Sequence, residues 1–299
     1  MLDFIQNTLD GITVGSGYAL LAIGFTLIFG VLRRLNLSYG PSIMVGVFFG
    51  TFLFLQFQAG WYAVLVATVL GAVIAGAYVE RLCFWAIKKG AAVASMVSSF
   101  AVWMQLEEAV TIAFPDRTYE FPALGDFELI ELGELSVRQE HLIMLGIAAL
   151  LVFALHQLLF RTRFGLAVRA VSEDPDAALF MGVNTGRVIF LAFILASAIG
   201  GVAGYFIMAT EEVITPKFGL QATFKGLIAM MLGGMGSVPG AIAGGLLLGV
   251  VEKQAEWYAG AVWRDIAAFL LLFVFLIFRP GGLLAQGAAA RDLAALRRV

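Results

Sequence analysis

Charge, cysteine and histidine are scarce in this chain. Of 299 residues, 13% are Asp, Glu, Lys or Arg, and there are one cysteine, Cys83, and two histidines, His141 and His156. A lone cysteine excludes an internal disulfide. Two separated histidines without companions exclude a dedicated imidazole metal site, and both are read as structural. No Gly-x-x-x-x-Gly-Lys-Ser/Thr run occurs, so the chain has no recognisable ATP site and is expected to bind no cofactor of its own. No nucleophile–base spacing or paired carboxylates suggest an enzyme, and no basic, aromatic-interleaved stretch suggests nucleic acid. The opening Met-Leu-Asp-Phe-Ile-Gln-Asn lacks the basic start of a cleavable signal peptide and is expected to be retained.

What is abundant is apolar length. The chain is 61% hydrophobic, more than a soluble domain carries, which makes it an integral membrane protein. Apolar runs fall at roughly 9–32, 41–57, 61–83, 91–114, 141–160, 187–209, 223–252 and 263–279, lengths suited to helices crossing a hydrocarbon core of about 30 Å. The expected fold is all-α, a polytopic helical bundle of about eight membrane segments that include broken or re-entrant half-helices, forming a single domain over 1–299. The 34 glycines fit close helix packing in lipid.

Basic residues mark the cytoplasmic side of such a protein. Arg33-Arg34, Arg81 with Lys88-Lys89, Arg161, Arg163 and Arg169, and the tail from Arg279 to Arg291, Arg297 and Arg298 are therefore expected inside. The loop 115–140 carries Asp116, Glu120, Asp126, Glu128, Glu131, Glu134 and Glu140 against Arg117 and Arg138 and is expected outside. Alternating spans then start the N-terminus outside and end the C-terminus in the cytoplasm. Parity holds if 223–252, interrupted by Gly233-Gly-Met-Gly-Ser-Val-Pro-Gly240, enters and leaves on the outer face as two half-helices. Glu252–Trp263 then lies outside, with Trp257, Tyr258 and Trp263 as an interfacial anchor. Two full crossings, at about 13 residues each, fall short of a bilayer.

A second break lies at Leu35-Asn-Leu-Ser-Tyr-Gly-Pro41, where Pro41 disfavours helix at Gly40 and starts a new helix. Paired Gly/Pro-interrupted segments point to a central pathway in transporters, so Asn36, Ser38, Tyr39, Gly40, Gly233, Gly234, Gly236 and Ser237 are its candidate lining. Ionisable residues in spans are weighed singly. Glu107 and Glu108, near the outer end of the fourth span, either relay protons or snorkel to the headgroups. Glu80-Arg81 reads as an inner-face pair. Lys225 at the start of a half-helix opposes the helix dipole and needs an anion. Glu211 and Glu212 are nearest in sequence, so Lys225 either pairs with them or meets a substrate carboxylate.

The most informative stretch is the charged, helix-prone island Arg161–Asn184 between two apolar runs. In it Asp176-Ala177-Ala178-Leu179-Phe180-Met181-Gly182 forms a short helix, with Asp174 or Asp176 at its N-terminus, an apolar knob at Leu179, Phe180 and Met181, and Gly182 as its stop. Such a knob suits either a cytoplasmic partner or the inner leaflet. The island resembles the cytoplasmic coupling loop of bacterial ABC importers, spanning about 161–186 here.

Several motifs carry a wider resemblance. Thr13-Val-Gly-Ser-Gly-Tyr-Ala-Leu-Leu-Ala-Ile-Gly-Phe-Thr-Leu-Ile-Phe-Gly30, the island, Ile214-Thr-Pro-Lys-Phe-Gly219, Met231-Leu-Gly-Gly-Met-Gly-Ser-Val-Pro-Gly-Ala-Ile-Ala-Gly-Gly245 and Arg279-Pro-Gly-Gly-Leu283 are together similar to the branched-chain amino acid ABC-transporter permease family. The similarity covers nearly the whole chain in register. It implies a second, related permease, two ABC ATPase subunits that use ATP and Mg, and an extracytoplasmic solute-binding protein. After Asn36 the family commonly has a small residue and then His-Gly-Glu. Here Leu37-Ser38-Tyr39-Gly40-Pro41 stands instead, closer to related sugar-importer permeases. Family members also move urea, amides and aromatic acids, so the resemblance leaves the solute open. A self-contained secondary transporter or channel is the rival reading, with Glu107 and Glu108 as its candidate acids. A membrane scaffold would explain the island but neither break.

Overall fold

The computed structural model describes residues 2–87, 92–115, 118–122, 129–132 and 135–284. Lys88, Lys89, Asp116, Arg117, Asp126, Glu128, Glu134, Arg291, Arg297 and Arg298 lie outside them. In chain order the elements are α1 (Leu2–Leu32), α2 (Tyr39–Phe57), α3 (Trp61–Val79) running into a π-helical turn (Glu80–Trp85), α4 (Ala92–Ala113) and β1 (Tyr119–Glu120). There follow β2 (Leu129–Leu132), β3 (Leu135–Arg138), α5 (Gln139–Arg161), α6 (Arg163–Glu173), α7 (Pro175–Phe180) and α8 (Thr185–Glu211). The chain continues through β4 (Val213–Ile214), α9 (Phe218–Gly233), α10 (Val238–Ala259) and α11 (Val262–Phe278). The membrane part is all helical, as expected. The acidic loop adds a β2–β3 hairpin, and β1 pairs antiparallel with β4.

Among the described residues five helices are individually long and apolar enough to cross a bilayer: α1, α2, α3 with its π turn, α5 and α8. The run expected to hold two half-helices is indeed broken, with α9 and α10 meeting at 118° across Gly234–Ser237. The helical part is longer at both ends than the apolar run, from Phe218 to Ala259. Glu252, expected at the start of an outer loop, is therefore helical and buried at 1% exposure.

The chain forms two compact units. The first comprises residues 1–26, 126–148 and 224–299. In it α1 and α10 approach backbone to backbone. Gly11 lies against Gly249 and Val250, Gly15 against Gly245 and Leu246, and Gly249 against Gly11 and Gly15 in return. The bend is closed the same way: Gly233 packs on Gly240, and Gly244 packs on Ala229 and Gly233. The terminal Arg279-Pro-Gly-Gly-Leu segment completes it. Leu283 N–H donates to the Leu232 carbonyl at 2.8 Å and Leu284 N–H to the Gly233 carbonyl at 2.9 Å, satisfying carbonyls that the end of α9 leaves open. That gives the motif a structural reason.

The second unit comprises residues 27–125 and 149–223. Its centre is a three-helix core of α2, α3 and α8. Gly46 lies against Thr68 and Ala72, Gly201 against Val69 and Ala72, and Gly204 against Ile43 and Val47. Small residues set the approach of helices in lipid, where no hydrophobic effect drives them together. A Gly249→Val side chain has no room between α1 and α10, and overpacking of this kind costs roughly 1–3 kcal/mol. It should lower the thermal midpoint of the detergent-solubilised protein by several degrees. Gly146→Val, with open space beside it, should leave the midpoint unchanged.

Candidate functional site

The island after α5 is built as a rigid helical corner. Thr162 caps α6 by accepting from Gly165 N–H at 3.1 Å, and α6 turns Gly165, Val168 and Val171 inward. Arg169 lies over the Phe160 ring at 5.1 Å, and Arg33 reaches the Ser172 carbonyl at 3.2 Å. Asp174 ends α6 and caps α7, its carboxylate accepting from Asp176 N–H and Ala177 N–H at 2.9 Å each, with Pro175 in the first turn. Of the two aspartates expected at the N-terminus, Asp174 is the cap. Gly182, at φ +85°, stops the helix, and Gly182 and Val183 N–H groups return to the Leu179 and Ala178 carbonyls at 3.0 Å. Asn184 then caps α8.

With both ends fixed, Ala178 is buried and the knob stands free: Leu179 is 50% exposed, Phe180 90% and Met181 85%. Three adjacent apolar side chains held out on a capped turn make a compact contact surface.

Asn36, Ser38, Tyr39 and Gly40 of the first break are buried. Asn36 Oδ1 accepts from Ser38 N–H at 3.0 Å, Ser38 Oγ donates to the Ser99 carbonyl, and Ser99 Oγ accepts from Leu37 N–H at 3.2 Å. Arg34 donates to Ser95 Oγ at 2.7 Å. The Tyr39 hydroxyl donates to the Ala196 carbonyl on α8 at 2.9 Å, and Gly40 packs on Gly219 and Thr223. These groups brace α2 against α4 and α8. Ser95 and Ser99 of α4, the partners in that brace, carried no local signal in the sequence.

At the second break adjacent glycines do different work. Gly233 and Gly240 touch, whereas Gly234 and Gly236 take positive φ of 110° and 85° to turn the chain. Among the described residues nothing lies within 4 Å of the open side of Gly236. Ser237 accepts from Gly240 N–H at 3.2 Å and caps α10.

One pairing is corrected. Lys225 is joined not to Glu211 or Glu212 but to Glu252 Oε1 and, at 2.8 Å, to Asp265 Oδ1. The reason is helical: α9 starts at Phe218, so Lys225 sits two turns inside it rather than at a helix start. Glu252 also accepts from the Tyr18 hydroxyl at 2.9 Å and from Arg264 Nε at 3.3 Å, and Arg264 donates to Tyr18 Oη at 2.8 Å. Two cations and two carboxylates thus meet with a tyrosine from α1, joining four helices of the first unit. Among the expected intramembrane charges, Glu107 accepts from Trp103 Nε1 at 2.6 Å, and Glu80 lies buried in the π turn beside Arg81 at 3.6 Å. His141 lies 3.7 Å from Asp10, and His156 packs on Phe160.

A many-helix membrane chain with a sharply bent helix pair and a capped corner bearing a free apolar knob has the fold of an ABC-transporter membrane chain. A solved chain described as an inward-facing ABC transporter of metal-chelate type matches 92% of this chain and 87% of its own length at a TM-score of 0.54, with 16% identity. Residues 7–278 match the family described as branched-chain amino acid transport system / permease component, and the chain belongs to that family. It is 31% identical to the high-affinity branched-chain amino acid transport system permease protein LivH of Escherichia coli K12, over 95% of this chain and 96% of LivH. It is 30% identical to the corresponding protein BraD of Pseudomonas aeruginosa, with the same coverage of each chain.

Breaking a buried ion pair by deleting one partner costs about 3–5 kcal/mol, because it strands the other charge. Glu252→Ala removes the buried carboxylate that Lys225 and Arg264 share and should sharply reduce the folded protein recovered from membranes. Asp265 is 67% exposed in its side chain, so Asp265→Ala should reduce it little. Equal losses would show that the cluster is not centred on Glu252.

Proposed function

We propose that this chain is the transmembrane permease subunit of an ATP-driven importer that moves a branched-chain amino acid, or a small polar solute of that kind, into the cytoplasm. The carrying observation is family membership over nearly the whole length together with the exposed knob on α7. The pair implies a division of labour. The chain supplies the membrane passage, and a partner supplies the energy.

In this reading the N-terminus is outside, the island and C-terminus are cytoplasmic, and the loop 115–140 faces the binding protein. Two ATPase subunits close on ATP and Mg and push on Leu179, Phe180 and Met181. Because α7 is capped by Asp174 and stopped by Gly182, the push reaches α8 as a rigid displacement rather than being lost in bending. The chain then acts with a second permease to switch access to a shared pathway, into which a binding protein releases solute. The breaks at 36–42 and 233–240 border that pathway through backbone and small side chains, since irregular backbone at membrane depth is stable only beside protein or a water-filled cavity. Asn36, Ser38 and Tyr39 hold the shape of the first break, and Gly233, Gly234, Gly236 and Ser237 that of the second.

Leu179→Asp with Phe180→Asp places two charges where a desolvated contact is required. Transport by the assembled complex should fall at least about tenfold, since removing a buried hot-spot contact costs 2 kcal/mol or more, while membrane insertion stays normal. The ATPase subunits should co-purify poorly with the variant. Undiminished transport would remove α7 from the coupling role.

A further inference from the structure

Arg81 and Arg187 are cations with open donors beside an apolar surface. Arg81 stands in the π-helical turn that ends α3, its side chain 54% exposed. Its guanidinium carbon lies 4.8 Å from the centre of the Phe190 ring of α8 and 5.6 Å from that of Trp85, a spacing at which aromatic rings hold a cation. Glu80, buried behind it, approaches Nε at 3.6 Å, outside hydrogen-bond range. Among the described residues the Arg81 guanidinium has no hydrogen-bond acceptor. Arg187 is exposed, one helical turn before Phe190 on the same face of α8, and its side chain likewise has no acceptor among them. Phe190 thus ties both arginines to one patch. Around them the exposed side chains are apolar: Leu82 and Trp85 flank Arg81, Ile74 lies two turns back along α3, and Leu191 lies one turn beyond Arg187.

Such a patch matches a ligand with an anionic head and a hydrocarbon body. A soluble anion would leave Ile74, Leu82 and Leu191 uncovered, and acyl chains alone would leave the guanidinium donors unfilled. We propose that Arg81 and Arg187 bind the phosphate of an anionic phospholipid in the cytoplasmic leaflet, whose acyl chains lie along Ile74, Leu82 and Leu191. Guanidinium forks match phosphate oxygens in pairs, and the aromatic support fixes Arg81 in place before the lipid arrives. The excess of basic residues at this end of α3 and α8 selects the leaflet, which is also where anionic lipid draws basic segments to the surface. Arg81 belongs to α3 and Arg187 to the first turn of α8, so one headgroup bridges the two helices three residues after the Asn184 cap. The inference needs only a membrane-embedded chain and does not depend on the importer reading.

Trp85 reports on the site. The protein, with whatever subunits it retains on purification, is placed in phosphatidylcholine vesicles holding a minor fraction of phosphatidylglycerol, with bromine on the acyl chains of one lipid or the other. The quenching that disappears with Trp85→Phe is that of Trp85. Brominated phosphatidylglycerol should quench it at least about fivefold more than its share of the bilayer gives, the effect of one basic residue at an anionic surface. Arg81→Gln with Arg187→Gln should lower that preference about fivefold or more. Arg81→Lys with Arg187→Lys, which keeps both charges, should retain most of it, separating lost charge from a damaged fold. Equal quenching by the two lipids, or an undiminished preference in the Gln variant, would overturn the proposal. So would loss of the preference on adding inorganic phosphate at constant ionic strength, because the site would then take a free anion. A preference that emerges only after retained subunits are stripped away would also overturn it, because the arginines would then face protein.

Discussion

Backbone contact at glycine is the constraint on which each unit depends. Lipid gives helices no reason to associate through apolar area alone, so association rests on close approach and on polar groups finding partners. In the first unit Gly11, Gly15, Gly245 and Gly249 bring α1 and α10 into main-chain contact, and Gly233, Gly240 and Gly244 fold α10 back on α9. The same device joins α2, α3 and α8 in the second unit. Once these distances are set, the remaining polar groups have defined neighbours. Glu252 can take three donors because α1, α9 and α11 all reach it.

The second requirement is that no backbone group be left open in the membrane. The two breaks meet it differently. At Arg33–Ser38 side chains do the work: Asn36, Ser38, Ser95 and Ser99 absorb the amides, carbonyls and the Arg34 guanidinium. At Gly234–Ser237 the main chain does it, with the segment after Arg279 returning to the end of α9. Irregular backbone is thereby stabilised inside a membrane protein, and the corner at α7, capped at both ends, holds its apolar knob outward.

Local patterns were legible in the sequence, and long-range partners were not. Apolar length gave the helices, and Pro41 and the Gly233–Gly240 cluster gave the breaks. An acid at 174 or 176 and the Gly182 stop gave α7, because each acts on backbone within four residues. For Lys225 proximity in sequence offers only Glu211 and Glu212 or a substrate carboxylate, whereas its partners stand 27 and 40 residues downstream on other helices. Tyr18 sits in an apolar run like any packing aromatic, and nothing near it announces a carboxylate. Glu252 did carry a signal, an acid directly following the apolar run 246–251, but reading that run as ending at the membrane surface hid it. Gly233 and Gly236 look alike in sequence, yet one is needed for contact and the other for a turn.

As the permease of an ATP-driven importer, this chain would conduct a solute only when a partner's ATP cycle drives it. The direct test is uptake into proteoliposomes containing the chain with its second permease and ATPase subunits, with the binding protein and a labelled branched-chain amino acid on the binding-protein side. The account predicts uptake that requires hydrolysable ATP and disappears when the ATPase subunits are omitted. Uptake by this chain alone, driven by an ion gradient without ATP, would contradict it.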